Sequence, residues 1–150
     1  MGYTSERNNQ IVIKLLKYHK IKKMVISPGA TNVSLVASIQ NDPFFELYSC
    51  VDERSAAYLA CGLAEESGEA VALSCTGATA SRNYFPGLTE AYYRKLPILA
   101  ITSTMPIDRI GHNIPQIIDR TNVTNDIAKG TYYIPMVDND EDEWNCTLKV

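Results

Sequence analysis

The 150-residue chain has one tryptophan, two histidines and no Cys-x-x-Cys pair among its four cysteines, Cys50, Cys61, Cys75 and Cys146. With His19 and His112 standing apart, no zinc cluster of familiar ligand spacing can be assembled, and we assign no metal ligand to this chain. Three of the thiols lie among apolar or small residues, which suits buried, reduced cysteines. No apolar run approaches the roughly 18 to 20 residues a bilayer span needs, and the polar opening Met1 to Gln10 lacks the hydrophobic segment of a secretory signal. Glu6 stands where a myristoylation signal wants Ser or Thr, which disfavours a lipid anchor. A soluble cytoplasmic protein without membrane attachment is therefore expected, in which the sequons at Asn32, Asn122 and Asn145 carry no sugar. Basic residues are also few, 14 against 17 acidic for a net charge of −3, and they form no stripe that would neutralise phosphates, so nucleic acid is not expected as a partner.

What is present is an alternating pattern. A hydrophobic content of 45% suffices for one core, so residues 1–150 are read as one domain. Residues 5–19 carry Ile11, Val12, Leu15, Leu16 and Tyr18 at near-helical spacing, with Thr4 or Ser5 as cap. Strands are predicted at 24–27, 44–51, 70–75 and 97–102, and helices at 32–39, 53–66 and 79–93, with a further strand at 131–137. Short buried strands separated by helices predict an α/β fold: a doubly wound, mostly parallel sheet with helices on both faces. Ligands of such sheets bind at the carboxyl ends of the strands, which directs attention to residues 27–32, 50–54, 75–83 and 102–116. The acidic run from Asp138 to Glu143 lacks the glycine and closing glutamate of a calcium loop and reads as a helix start, with Trp144, Leu148 and Val150 opening an apolar face. The domain is expected to be truncated near this last helix and to belong to a longer polypeptide.

Two segments carry candidate chemistry. Glu53 opens a helix directly after a strand, and the turns behind it are small: Ala56, Ala57, Ala60, Cys61, Gly62 and Ala64. Close packing there can desolvate a carboxylate and tune its proton affinity for acid–base work; the same position also suits an ordinary acidic residue complementing the helix dipole. The turn from Cys75 to Asn83 offers free amides and hydroxyls to a polar ligand, or serves as a helix cap. It has neither G-x-G-x-x-G nor the lysine of a P-loop, which excludes a Rossmann or nucleoside-triphosphate assignment.

Ser27-Pro28-Gly29, Asp52-Glu53-Arg54-Ser55-Ala56, Thr76-Gly77 leading to Asn83, then Pro86, Glu90-Ala91, Pro97 and Gln116 occur in a fixed order. That set, spanning residues 5–137, resembles the pyrimidine-binding domain of thiamine diphosphate enzymes. It is most like the menaquinone-pathway succinyl-enolpyruvyl-hydroxycyclohexene carboxylate synthase, with acetolactate synthase and other 2-oxoacid decarboxylases behind it. The resemblance implies that Glu53 is catalytic, hydrogen-bonding the aminopyrimidine ring so that the cofactor is activated to its ylid, which attacks a 2-oxoacid. It implies cofactor contacts by Pro28, Gly29, Glu53, Thr76, Gly77 and Asn83, and a substrate-facing Gln116. His112 shares the loop with Gln116 and, with Thr31, is taken on the substrate side; as a lone histidine, His112 is otherwise a solvated loop residue.

Ala30-Thr31-Asn32 and Met105-Pro106 stand where the menaquinone synthase has arginines, the usual readers of carboxylates, so its substrate is not carried over. No Gly-Asp dipeptide occurs, whereas the family's diphosphate-binding domain holds magnesium and the diphosphate with a Gly-Asp-Gly motif. The resemblance therefore implies a partner, the diphosphate-binding domain of a second subunit, and a homo-oligomer that is at least a dimer. The isolated chain is expected to be inactive. Three readings follow: the N-terminal part of a decarboxylase or carboligase, the small subunit of a split sulfopyruvate-type decarboxylase, or a binding module that keeps the fold without catalysis.

Overall fold

The computed structural model describes residues 3–120, 122–139 and 141. Four strands, β1 (Lys23–Ile26), β2 (Glu46–Ser49), β3 (Val71–Cys75) and β4 (Ile98–Thr102), form one all-parallel sheet in the order β2-β1-β3-β4. Five α-helices accompany them: α1 (Arg7–Tyr18), α2 (Val33–Gln40), α3 (Glu53–Ser67), α4 (Thr79–Asn83) and α5 (Phe85–Arg94).

The period-two alternation of a strand decides which core each residue enters. Val25, Val71, Leu73 and Cys75 face the core built with Ala56, Ala57, Ala60 and Ala64 of α3 and with Tyr84. Met24, Ile26 and Ala72 point the other way, into the core formed with Ile13 and Leu16 of α1 and with Leu35 and Ile39 of α2. Both faces are thus covered by helices, as the alternating pattern predicts, and β3 is buried at every residue. The chain leaves β1 toward α2 and β3 toward α4, so the strand order reverses between these two neighbours. A crevice opens at such a switch point, beyond the strands' carboxyl ends.

Local chemistry sets the element ends. Asp52 caps α3 by accepting a hydrogen bond from the Ser55 amide at 2.8 Å; the Ser55 hydroxyl and then this amide hold its carboxyl below the usual range, and Gly68 ends the helix with φ +67°. At α1 the sequence reading needs correction: neither Thr4 nor Ser5 caps the helix, which starts behind Glu6 without a side-chain cap. Thr4 instead accepts from the Glu6 amide at 3.1 Å and sends its own amide to Ser38 Oγ at 2.9 Å, tying the entry of α1 to α2. Tyr18 is 79% exposed and does not belong to the buried face.

Two larger differences have clear causes. The helix predicted over 79–93 is broken at Tyr84 into α4 and α5, because Pro86 in the first turn of α5 has no amide to continue the hydrogen-bond ladder. Residues 131–137 form no strand: Ile134 packs on the core, yet the segment joins no sheet, and without a hydrogen-bonded neighbour apolar side chains do not make a strand. The helix expected from the run 138–143, with Trp144, Leu148 and Val150, lies outside the described residues apart from a helical Glu141, as does Cys146. Among the described residues, no helix is long and apolar enough to cross a membrane.

Helix α5 lies on α3 at a distance only small residues permit. A Cβ on Gly87 would collide with Ala57 Cβ and stand 3.0 Å from its carbonyl carbon. Gly62, exposed on α3, has nothing within 4 Å of a Cβ position. Gly87→Ala is expected to destabilise the domain by about 1–3 kcal/mol through overpacking, whereas Gly62→Ala is expected to stabilise it by about 0.5–1 kcal/mol. Urea midpoints at constant m-value measure both.

Candidate active site

All four segments singled out for ligand contact lie at the carboxyl edge of the sheet, and hydrogen bonds lace them together. The Ser27 amide donates to Ser74 O at 2.8 Å and its hydroxyl to Cys50 O at 2.7 Å. The Ser103 amide donates to Cys75 O at 3.0 Å, and the Thr31 hydroxyl to Ser103 O at 3.1 Å. Asn32 sits at the centre, only 1% exposed. Its Oδ1 accepts from the Gly29 amide at 2.8 Å, while Nδ2 donates to Ser27 O at 3.1 Å and to Ser74 Oγ at 3.2 Å. Every polar direction of this amide except one acceptor site is used, which removes the cost of burying it.

That clamp presses the first loop onto the third. A Cβ on Gly29 would collide with the Thr76 methyl group, so glycine is required by the approach of the two loops. Gly29, Thr31, Thr76, Gly77 and Gln116 all line one cleft of about 470 Å³, with Pro28 exposed beside it. Another depression, of about 500 Å³ between Tyr92 and residues 122–131, lies away from the strand ends. The turn between β3 and α4 is strained: Ala78 has φ +55° and ψ −129°, which a side chain disfavours, and the Ser81 hydroxyl braces its carbonyl at 2.7 Å.

Glu53 begins α3 beyond β2 and is half-buried. Its carboxylate accepts no hydrogen bond from any described residue, and its charge acts on Cys75 and Tyr84. Asn83, half-buried, closes α4 one residue before Tyr84. His112 is exposed and does not line the cleft. Glu53 and Asn83 likewise lie off the cleft lining, so the candidate residues form a strand-end surface with one pocket in it rather than a single closed pocket.

Sequence reasoning passed over three members of this region. Asn32 was signalled only as a helix start, although it follows β1 by six residues and is buried as a clamp between the loops. Tyr84, 1% exposed, places its hydroxyl near Cys75 and Ser27 with no hydrogen-bond partner among the described residues. Arg120 reaches back over Gly77 from a segment with no recognisable pattern.

Residues 7–123 match the family model described as thiamine pyrophosphate enzyme, N-terminal TPP binding domain. The chain is 35% identical over 148 residues to the 2-succinyl-5-enolpyruvyl-6-hydroxy-3-cyclohexene-1-carboxylate synthase of Bacteroides thetaiotaomicron, covering 99% of this chain and 27% of that protein. It is 41% identical over 116 residues to the synthase of the same name from Porphyromonas gingivalis, covering 77% of this chain and 20% of that one. Among solved structures, a 4-hydroxybenzoylformate decarboxylase of Rhodococcus jostii RHA1, described as thiamine diphosphate-dependent, superposes with a TM-score of 0.68 at 18% identity, over 76% of this chain and 21% of its own. Benzoylformate decarboxylase from Polynucleobacter necessarius gives 0.64 at 19%, over 73% and 20%. The two structures support the fold.

Burial at the floor of this edge has a measurable consequence. Desolvation pushes the Cys75 thiol from its ordinary 9.0 up to about 11, and it raises the Tyr84 hydroxyl in the same direction. Above pH 9 the unfolded chain loses the thiol proton first, so the folded state binds more protons and stability falls as pH rises from about 9 to about 11. Each such group contributes a slope of at most about 1.4 kcal/mol per pH unit. Cys75→Ala is expected to flatten the decline relative to wild type, read from urea unfolding at pH 8, 9, 10 and 11.

Proposed function

The chain belongs to the thiamine pyrophosphate enzymes, as their N-terminal TPP binding domain, and from that premise we propose that it binds the cofactor's aminopyrimidine and activates it through Glu53. The observation that carries this reading is the half-buried Glu53 carboxylate, left without a hydrogen-bond donor among the described residues at an edge whose neighbouring loops are tied together by hydrogen bonds. A carboxylate with unused lone pairs fits a nitrogen heterocycle that donates a hydrogen bond or shares a proton with it. The rest of the edge fits as well: the Gly29–Thr76 approach makes a rigid floor without a projecting side chain, suited to a flat ring.

When bound, thiamine diphosphate supplies the carbon nucleophile and electron sink for cleaving or joining a bond next to a 2-oxoacid carbonyl. The chain's own part is narrower. Glu53 holds a proton at its carboxylate oxygen, on a helix start fixed by the Asp52 cap. Pro28, Gly29, Thr76, Gly77 and Asn83 orient the ring, with backbone rather than long side chains in the first two loops. Thr31, Gln116 and His112, on the loops around the cleft, stand on the substrate side. In this reading the reaction is a decarboxylation or carboligation of a 2-oxoacid.

The chain spans 27% of the length of the Bacteroides relative, so most of such an enzyme lies in sequence this chain does not contain. We therefore assign the diphosphate and magnesium to a separate domain, facing this one from a second subunit in an assembly that is at least a dimer. The chain alone is inactive in this reading.

The test is hydrogen/deuterium exchange at the reactive thiazolium carbon, using the natural polypeptide assembled with its diphosphate domain, thiamine diphosphate and magnesium. Exchange far faster than in free cofactor is expected, falling by about 100-fold or more in Glu53→Gln. Exchange equal in variant and wild type removes Glu53 from the role. A rate no faster than free cofactor in the loaded assembly leaves a binding module.

A further inference from the structure

The described lining of the strand-end cleft carries no charge: its walls are glycine, alanine, threonine, proline, Met105, Gln116 and isoleucine. A cation nevertheless stands directly behind two of these residues. The Arg120 guanidinium lies against Gly77 so closely that a Cβ there would be 2.5 Å from Nη1, 3.1 Å from Nη2 and 3.2 Å from Cζ. Nη2 donates to the hydroxyl of Thr104, another residue of the cleft wall. Nη1 is buried and donates to no acceptor among the described residues.

This arrangement is unfinished electrostatically. Burial draws the pKa of Arg120 down, and the charged or titratable groups acting on it are the Cys75 thiol and the like-charged Arg82, neither of them a carboxylate. Arg82 is itself occupied, donating to Asp119 O at 3.1 Å and lying 5.2 Å from the Phe85 ring centre. A dehydrated guanidinium edge with no counter-ion among the described residues favours a planar anion with two oxygens, the shape of a carboxylate. A multiply charged phosphate wants several cations or a nest of amides, whereas here one arginine borders walls that include Met105, Ile114 and Ile117, better suited to an organic acid with an apolar tail. Gly77 has no side chain to stand between the guanidinium and the cleft.

We propose that Arg120 reads the carboxylate of the 2-oxoacid substrate in this cleft and is a specificity-determining residue of the enzyme. The proposal rests on the function proposed above. The residue holds the substrate by its carboxylate and takes no part in proton transfer.

The test uses the natural polypeptide assembled with its diphosphate domain, thiamine diphosphate and magnesium, in the Glu53→Gln background, which holds ligand without turnover. Pyruvate, 2-oxoglutarate and benzoylformate are titrated calorimetrically, together with the methyl ester of the tightest binder. Adding Arg120→Gln is expected to weaken that acid by about 10- to 100-fold and leave the ester unchanged, with Arg120→Lys recovering part of the loss. Thiazolium exchange measured with Glu53 intact is expected to be the same in Arg120→Gln as in wild type. Unchanged acid affinity in Arg120→Gln overturns the proposal, as does failure of all three acids to bind. A fall in cofactor affinity or exchange in that variant overturns it in favour of a diphosphate contact. Should Arg120→Gln not fold, Arg120→Lys binding acid and ester as the parent does overturns it equally. Failure of the Glu53 reading shows itself separately, in the exchange rate of Glu53→Gln alone.

Discussion

Everything at the functional edge depends on burying one amide. Asn32 sits beneath the first loop with no access to water, and an unsatisfied amide there would cost several kcal/mol. It is satisfied only while Gly29, Ser27 and Ser74 hold their present positions. The ends of β1 and β3 and the loop between β1 and α2 are thereby locked to each other, and the Gly29–Thr76 approach follows from that lock. A shorter or apolar side chain at position 32 would leave two carbonyl or hydroxyl acceptors and one amide donor to find other partners. The rigidity of the site is therefore a hydrogen-bonding requirement of the core, not a property of the loops.

The fold was legible because both of its periodicities are local. Met24-Val25-Ile26 and Val71-Ala72-Leu73 are short buried runs, and each is followed by a turn and a helical pattern. What was not legible depended on neighbours. The segment 131–137 has the composition of a strand and lacks only a pairing edge, which no sequence window displays. The break at Tyr84 was marked by Pro86, but proline is tolerated in a first helical turn, and the sequence does not say where a new first turn begins.

The candidate site divided along similar lines. Glu53, Gly29, Thr76 and Gly77 stood out because they occupy turns adjoining strands, in an order that resembles a known family. Arg120 has no such marker. It follows a long irregular segment, and its importance comes from a distance, the one to Gly77, that is fixed by how that segment folds back. Asn32 was misjudged for the opposite reason: its sequence context suits a helix start, and its three bonds to the strand ends appear only in three dimensions.

The segment from Ser103 to Arg120 has a different standing from the rest of the edge. It supplies Met105, Ile114 and Gln116 to the cleft wall, and its ties to the layer beneath include Ser103 to Cys75, Thr31 to Ser103, Arg82 to Asp119, and Arg120 resting on a glycine. A stretch attached in this way can be rewritten without disturbing the packing of either face. Its side chains can be exchanged while the Asn32 lock and Glu53 are kept, which changes the wall of the cleft on an unchanged chassis. For the same reason it is the stretch to randomise in a directed-evolution library.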